Sequence, residues 1–168
     1  QAIAALAYGA GDVPACDVVV GPGNRWVTAA KQVVCGQVGI DMLAGPSELV
    51  VMADETAEPD VVAADLLAQA EHDPDALPIL VSISETMAEK VERELAHQLE
   101  DLPTAETARR ALQNGFVVQV GTLEEAVKAC DELSPEHLEL HVRDPDALLG
   151  RLKNWGGLFL GTRAAEVL

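Results

Sequence analysis

Short β-prone runs alternate with longer amphipathic stretches along this chain, and that alternation constrains the fold more than any other feature. The runs are "DVVVG" (17–21), "ELVVMA" (48–53), "PILVSIS" (78–84), "FVVQVG" (116–121), "HLELHV" (137–142) and "GLFLG" (157–161). Between them, 25–35, 59–72, 86–99, 105–113, 123–132 and 145–155 carry helical spacing, several opened by Pro, Asp, Glu or Thr as helix N-termini prefer. Strands that run parallel need crossovers long enough for a helix, so this order predicts an α/β fold built on a parallel sheet. The stretch "GQVGIDMLAGPSE" (36–48) has no helical period and separates two α/β portions. The portion before it, 1–47, offers a helix, a strand and a second helix, too little to close a sheet. The portion after it, 48–168, offers five strands and reads as the main α/β domain.

The 168 residues, 49% of them hydrophobic, can bury a substantial core. The longest apolar runs are far shorter than the ~20 residues a membrane helix needs, so no span is expected. A start on Gln, with no initiator Met and no basic leader, suggests a fragment without a targeting segment. Acidic residues outnumber basic ones 28 to 11, a formal charge of -17 that repels phosphate backbones and anionic lipid. Neither nucleic acid nor a membrane is an expected partner. The charge is spread over several helices and reads as a solvated surface. Cys16, Cys35 and Cys130 form no CxxC pair and stand in apolar surroundings, which suggests packed, reduced thiols in a cytoplasmic protein.

Three stretches could carry chemistry. "VVVGPGN" (18–24) runs from a strand through a Gly-Pro-Gly turn into a helix, and could offer backbone N–H groups to an anion; Asn24 is equally a helix N-cap. In "LAQAEHDPD" (67–75), Gln69 and His72 stand at i and i+3 on one helix face, where one ion could touch both. Gln is a weak metal ligand and two ligands do not close a tetrahedral site, so a His facing free helix carbonyls is the competing reading. In "SPEHLELHV" (134–142), Glu136 and His137 could form an acid/base pair if they sit in the turn before the strand pleat begins. His141 in mid-strand reads as structural and His97 as a surface histidine. Ser47, His72, Glu136 and His137 all fall at the amino-terminal edge of the predicted sheet, against the rule that open α/β sheets bind ligands at the carboxyl ends of strands.

Together, "GPGNRWVTAAKQVV", "GIDMLAGPSE", "DLLAQAEHDPDA" and "SPEHLEL" resemble successive signature segments of histidinol dehydrogenase, in order and over essentially the whole chain. The resemblance implies a Rossmann-like, incomplete three-layer αβα domain, with part of a second α/β domain on the NAD side at its N-terminus. It implies oxidation of L-histidinol through L-histidinal to L-histidine with two NAD⁺, in a zinc-containing homodimer. By the match, Gln69 and His72 are zinc ligands that also hold substrate, and Glu136 and His137 are the catalytic, substrate-contacting pair. Ser47 matches a substrate-contacting serine, and Gln1 and Asn24 match NAD contacts. The family's next zinc ligand, an aspartate in a Gly-Asp-Tyr after "FLG", would follow Leu168, and a histidine and glutamate come from the neighbouring subunit. The same resemblance therefore leaves a second expectation open, that these 168 residues alone are a catalytically silent folding or interaction segment. A third, a metal-dependent hydrolase using Glu136 with His72, would need another ligand within the chain, for which His97 and His141 are poorly placed.

Overall fold

The computed structural model describes residues 1–43 and 47–165. The chain forms two compact units, Gln1–Pro46 and Ser47–Leu168.

The first unit holds α1 (Ala2–Tyr8), β1 (Val18–Val19), α2 (Arg25–Val34) and β2 (Gly39–Ile40). β1 and β2 pair in parallel around a small core of Ala7, Val19, Val34 and Val38. β2 is an addition to the expected elements: two residues inside a glycine-rich stretch carry no readable alternation. Asn24 caps α2, its Oδ1 accepting from the N–H groups of Trp26 and Val27 at 3.1 and 3.3 Å. Gly23 precedes it because a Cβ there would collide with Val27.

The second unit is a five-stranded, wholly parallel sheet. Its strands are β3 (Glu48–Ala53), β4 (Leu77–Ser82), β5 (Phe116–Gln119), β6 (His137–His141) and β7 (Gly157–Leu160), in the order β5-β4-β3-β6-β7. The strands run outward from β3 to β5 on one side, then return to β3's other flank, the order of a doubly wound nucleotide-binding sheet. Helices α3 (Pro59–His72), α4 (Glu85–Asp101), α5 (Ala105–Leu112) and α6 (Leu123–Leu133) make the crossovers. Alternation of side chains along the strands divides the interior into two layers. Leu49, Val51 and Ala53 of β3 pack with Val62, Ala63 and Leu66 of α3 and Met87 and Val91 of α4. Val50 and Met52 join Leu138, Leu140 and the α6 residues Ala126, Val127 and Cys130 on the other face.

The helix expected over 145–155 is not formed. The segment makes a single 3₁₀ turn, Asp146–Leu148. Its Leu148 and Leu152, whose spacing suggested a helix, are buried in the α6-side core. Asp131 ends the turn by accepting the backbone N–H groups of Lys153 and Asn154 at 2.7 and 3.1 Å, bonds that draw the backbone off a helical path. The cysteines also divide: Cys130 is fully buried, and burial pushes its thiol up to about 12, whereas Cys35 is exposed and Cys16 is half-buried with its thiol donating to Leu6 O. Among the described residues, no helix is long and apolar enough to cross a membrane.

Candidate active site at the amino-terminal edge of the sheet

Helix α3 positions the first pair. Pro59 opens it with the fixed φ of a first helical residue, and Val62, Ala63, Leu66, Leu67 and Ala70 bury its inner surface. Asp65, Gln69 and His72 follow one another at i, i+4 and i+7 along one side. The helix stops at Asp73, whose extended backbone breaks the pattern and whose carboxylate accepts the N–H of Asp75 at 2.8 Å. Asn114 donates to the carbonyl of Pro74 at 3.1 Å, so this acidic turn is held from a second element. His72 is exposed, whereas Gln69, one turn earlier, is only 1% exposed.

The Gln69 amide has a defined direction. Its Nε2 donates to the carbonyl of Ser47 at 3.5 Å, the same carbonyl that accepts Leu77 N–H. Only the NH₂ end can serve an acceptor, so the oxygen faces away. Oε1 is buried and has no partner among the described residues. An unsatisfied buried acceptor costs about 1–3 kcal/mol, so this atom is explained best by a ligand that the fold prepares for.

Glu136 and His137 come from β6, next to β3. His137 is the first strand residue and pairs in register with Leu49 of β3 and Gly157 of β7. Glu136 precedes the pleat, its carbonyl accepting Gly157 N–H at 2.7 Å, whereas His137 already belongs to the strand, so the turn expected for the pair holds Glu136 alone. Both side chains are half-buried. The His137 ring meets Phe159 edge-on, with centroids 6.0 Å apart and planes at 61°. Two glycines allow this. A Cβ on Gly156 would stand 2.6 Å from Glu136 O, and one on Gly157 would stand 3.3 Å from both His137 Cδ2 and the Phe159 ring. The Gly-Gly before "LFL" was the available sequence signal for this close approach.

Ser47, Gln69, His72, Glu136 and His137 therefore share the amino-terminal edge of one sheet. The opposite, carboxyl edge carries acidic groups. At the crevice between β3 and β6, where dinucleotides bind to sheets of this order, Asp54 fills the anion position itself. Its carboxylate accepts Thr56 N–H at 2.8 Å, the Thr56 hydroxyl at 2.5 Å and Arg143 N–H at 2.8 Å. Glu58 and Asp60 flank Pro59 at the entrance of α3, an arrangement that repels a pyrophosphate.

Gln1 and Asn24 belong to the first unit. Gln1 is the exposed N-cap of α1. Asn24 spends its oxygen on the α2 cap, and the first turn of α2 contains no acidic residue. The Gly-Pro-Gly turn before it is anchored by two residues that the sequence did not single out. Lys31, 4% exposed, donates to Gly21 O and Asp41 Oδ1, both at 2.6 Å, while Asp41 Oδ2 accepts Gly21 N–H at 2.8 Å. The Lys31 ammonium and the N–H groups of Gly21 and Met42 hold the Asp41 carboxyl well below the usual carboxylate range.

The profile of the histidinol dehydrogenase family matches residues 1–168. The chain belongs to the histidinol dehydrogenase family. It is 54% identical to the histidinol dehydrogenase of Thermus thermophilus over its full length, and spans 41% of that protein. The crystal structure of the histidinol dehydrogenase from Elizabethkingia anophelis superposes on 99% of the chain with a TM-score of 0.93 at 38% identity, the chain spanning 39% of it. A 1-pyrroline-5-carboxylate dehydrogenase from Thermus, solved with bound NAD, shares the fold at 14% identity, with a TM-score of 0.57 over 88% of the chain and 43% of that protein. The chain thus covers about two fifths of the family members it matches.

Among the described residues, one cluster of three or more His, Cys, Asp or Glu side chains could converge on an ion: Asp65, Glu139 and His141. It does not include His72. Sequence reasoning missed it because its members meet only when α3 packs on β6. The available signal was the alternation of His137, Glu139 and His141 in an otherwise apolar strand.

Proposed function

We propose that this chain is the part of a zinc- and NAD-dependent histidinol dehydrogenase that carries the catalytic pair and half of the zinc ligands, oxidising L-histidinol through L-histidinal to L-histidine with two NAD⁺. The observation that carries the reading is Gln69 Oε1, buried and unpaired beside Ser47 on the edge that also bears Glu136 and His137. A carboxamide oxygen and an imidazole suit zinc, and Gln69 and His72 would hold it there, with the other ligands from beyond these residues. Bound zinc supplies a Lewis acid that fixes and polarises the amino alcohol.

The chain's own residues divide the proton work. His137 takes the hydroxyl proton of histidinol as hydride leaves the carbinol carbon for the first nicotinamide. Glu136 removes a proton from the water that adds to the aldehyde carbon, and His137 returns its proton to the aldehyde oxygen, so the hydrate forms with His137 neutral again. His137 then accepts a hydroxyl proton of the hydrate as the second hydride leaves, giving the carboxylate and, in sum, two NADH. Ser47 contacts the substrate at the start of β3. Gln1 and Asn24 serve NAD from the first unit, which we read as the NAD-side domain. The Asn24 amide N–H groups and the acid-free first turn of α2 are suited to an anionic cofactor. A cytoplasmic homodimer acting in histidine biosynthesis completes the reading.

The share of the family length that the chain spans favours a second reading for the 168 residues by themselves: a folded but catalytically silent segment. One experiment separates the two. NADH formation from L-histidinol with zinc is followed for the 168 residues and for a full-length protein containing them. Turnover by the longer protein alone is expected. Turnover by the segment would overturn the silent reading, and none by the longer protein would overturn the enzyme assignment.

A further inference from the structure

The α3–β6 contact contains three buried ionisable side chains to which the proposed chemistry gives no task. His141 Nε2 lies 3.3 Å from Asp65 Oδ2 and 3.6 Å from Glu139 Oε2. His141 and Glu139 are each 1% exposed and the Asp65 side chain is 14% exposed. We propose that Asp65, Glu139 and His141 form an internal ionic clamp that fixes helix α3 against strand β6, and so positions Gln69 and His72 relative to Glu136 and His137.

The placement is what gives the clamp this role. Asp65 is one turn before Gln69 and two turns before His72 on the same side of α3. Glu139 and His141 are two and four residues beyond His137, on the same face of β6. The clamp therefore joins the helix that bears the metal-side pair to the strand that bears the acid/base pair. Burial pushes the His141 imidazole toward its neutral form, but the carboxylates of Asp65 and Glu139 beside it outweigh burial and raise the pKa to about 9. On the neighbouring strand β3 its register partner is the uncharged Ala53, and the Asp54 that follows is bonded to Thr56 and Arg143.

Stability alone does not explain such a triad. Desolvating buried charges costs about what their attraction returns, and apolar replacements of similar volume are often at least as stable. The opposite face of β6 fills its layer with Leu138 and Leu140. What ions provide and leucines do not is one preferred register, because a one-residue slip leaves the charges buried and unpaired.

This inference rests on the proposed function for its readout. The full-length protein is compared with His141→Gln and with the neutral Asp65→Asn/Glu139→Gln/His141→Gln triple variant. Thermal stability, zinc affinity by chelator competition, kcat, and amide exchange over 65–72 and 137–141 are measured. His141→Gln strands two facing carboxylates and is expected to lower stability, with zinc affinity and kcat falling about 10- to 100-fold in the folded fraction. The triple variant removes the repulsion and is expected to recover stability but not zinc affinity or kcat. If the triple variant is folded with wild-type zinc affinity and kcat, the positioning role is overturned, and this outcome decides even if His141→Gln fails to fold. A second bound zinc per chain, lost in His141→Gln, would make the triad a metal centre and overturn the clamp. Should the wild type neither bind zinc nor oxidise histidinol, the proposed function fails separately. The clamp is then judged by exchange, which it predicts to be faster in both segments of the triple variant.

Discussion

The two edges of the five-stranded sheet are built from similar materials and do opposite things. At the carboxyl edge, the Asp54 carboxylate gathers three nearby donors, and acids flank the start of α3. The Asp54 carboxylate is satisfied from within. At the amino edge, the Gln69 amide is fixed by one bond to Ser47, yet its oxygen is left buried and unpaired, and two glycines bring β7 close behind Glu136 and His137. The strand order would place ligands at the carboxyl edge, where the Asp54 carboxylate already holds three donors, while the Gln69 acceptor stands unmet at the amino edge. Strand order fixes where a crevice can form; local side chains decide whether it stays open.

If that contrast is correct, the largest effect follows from the acid/base residue. His137→Asn in the full-length enzyme should reduce kcat about 10²- to 10⁴-fold while the melting temperature stays near wild type, because Asn keeps a polar side chain at a half-buried position. Next comes Gly156→Ala, where the new methyl meets the Glu136 carbonyl and must displace the pair. A shift of an ångström at reacting groups costs about 10²-fold, so steady-state kinetics should show that loss with zinc content preserved. The carboxyl edge should respond differently. Asp54→Ala removes the acceptor that ties Thr56 and Arg143 together and should lower unfolding free energy by about 1 kcal/mol in denaturant titrations, with histidinol oxidation by the folded protein unchanged.

A further effect concerns pH. The folded pKa of His141, about 9, lies above its unfolded value near 6.5, so the stability it contributes is full below about pH 6.5 and is lost as pH rises through about 9. Thermal melts of the wild type should decline over that window, and His141→Gln should remove that part of the decline. A wild-type melting temperature that rises between those pH values would contradict the charged clamp.

Much of the scaffold was legible because its signals are local. β3 and α3 form over the residues expected, 48–53 and 59–72, one as an apolar run before an acidic break and the other between Pro59 and the "HDPD" turn. Strand β6 ends one residue early, where Asp54 and Arg143 tie the strand ends together. The segment after Pro145 misled because Leu148 and Leu152 have helical spacing but are buried from a turn that Asp131 caps from another element. The candidate site residues came from resemblance to a family, and their common edge from the order of elements. What could not be read was every relation needing two distant segments: the Ser47 to Gln69 bond, the glycine contacts behind His137, the Lys31 to Asp41 anchor and the buried triad.

The central claim, that this protein's ligand chemistry has moved to the amino edge of the sheet, is tested most directly by zinc stoichiometry. Full-length wild type, His72→Ala and Asp54→Ala are equilibrated with zinc, dialysed and analysed for bound metal. One zinc per chain in the wild type and in Asp54→Ala, with little or none in His72→Ala, is the predicted result; full zinc in His72→Ala, or loss in Asp54→Ala alone, would contradict it.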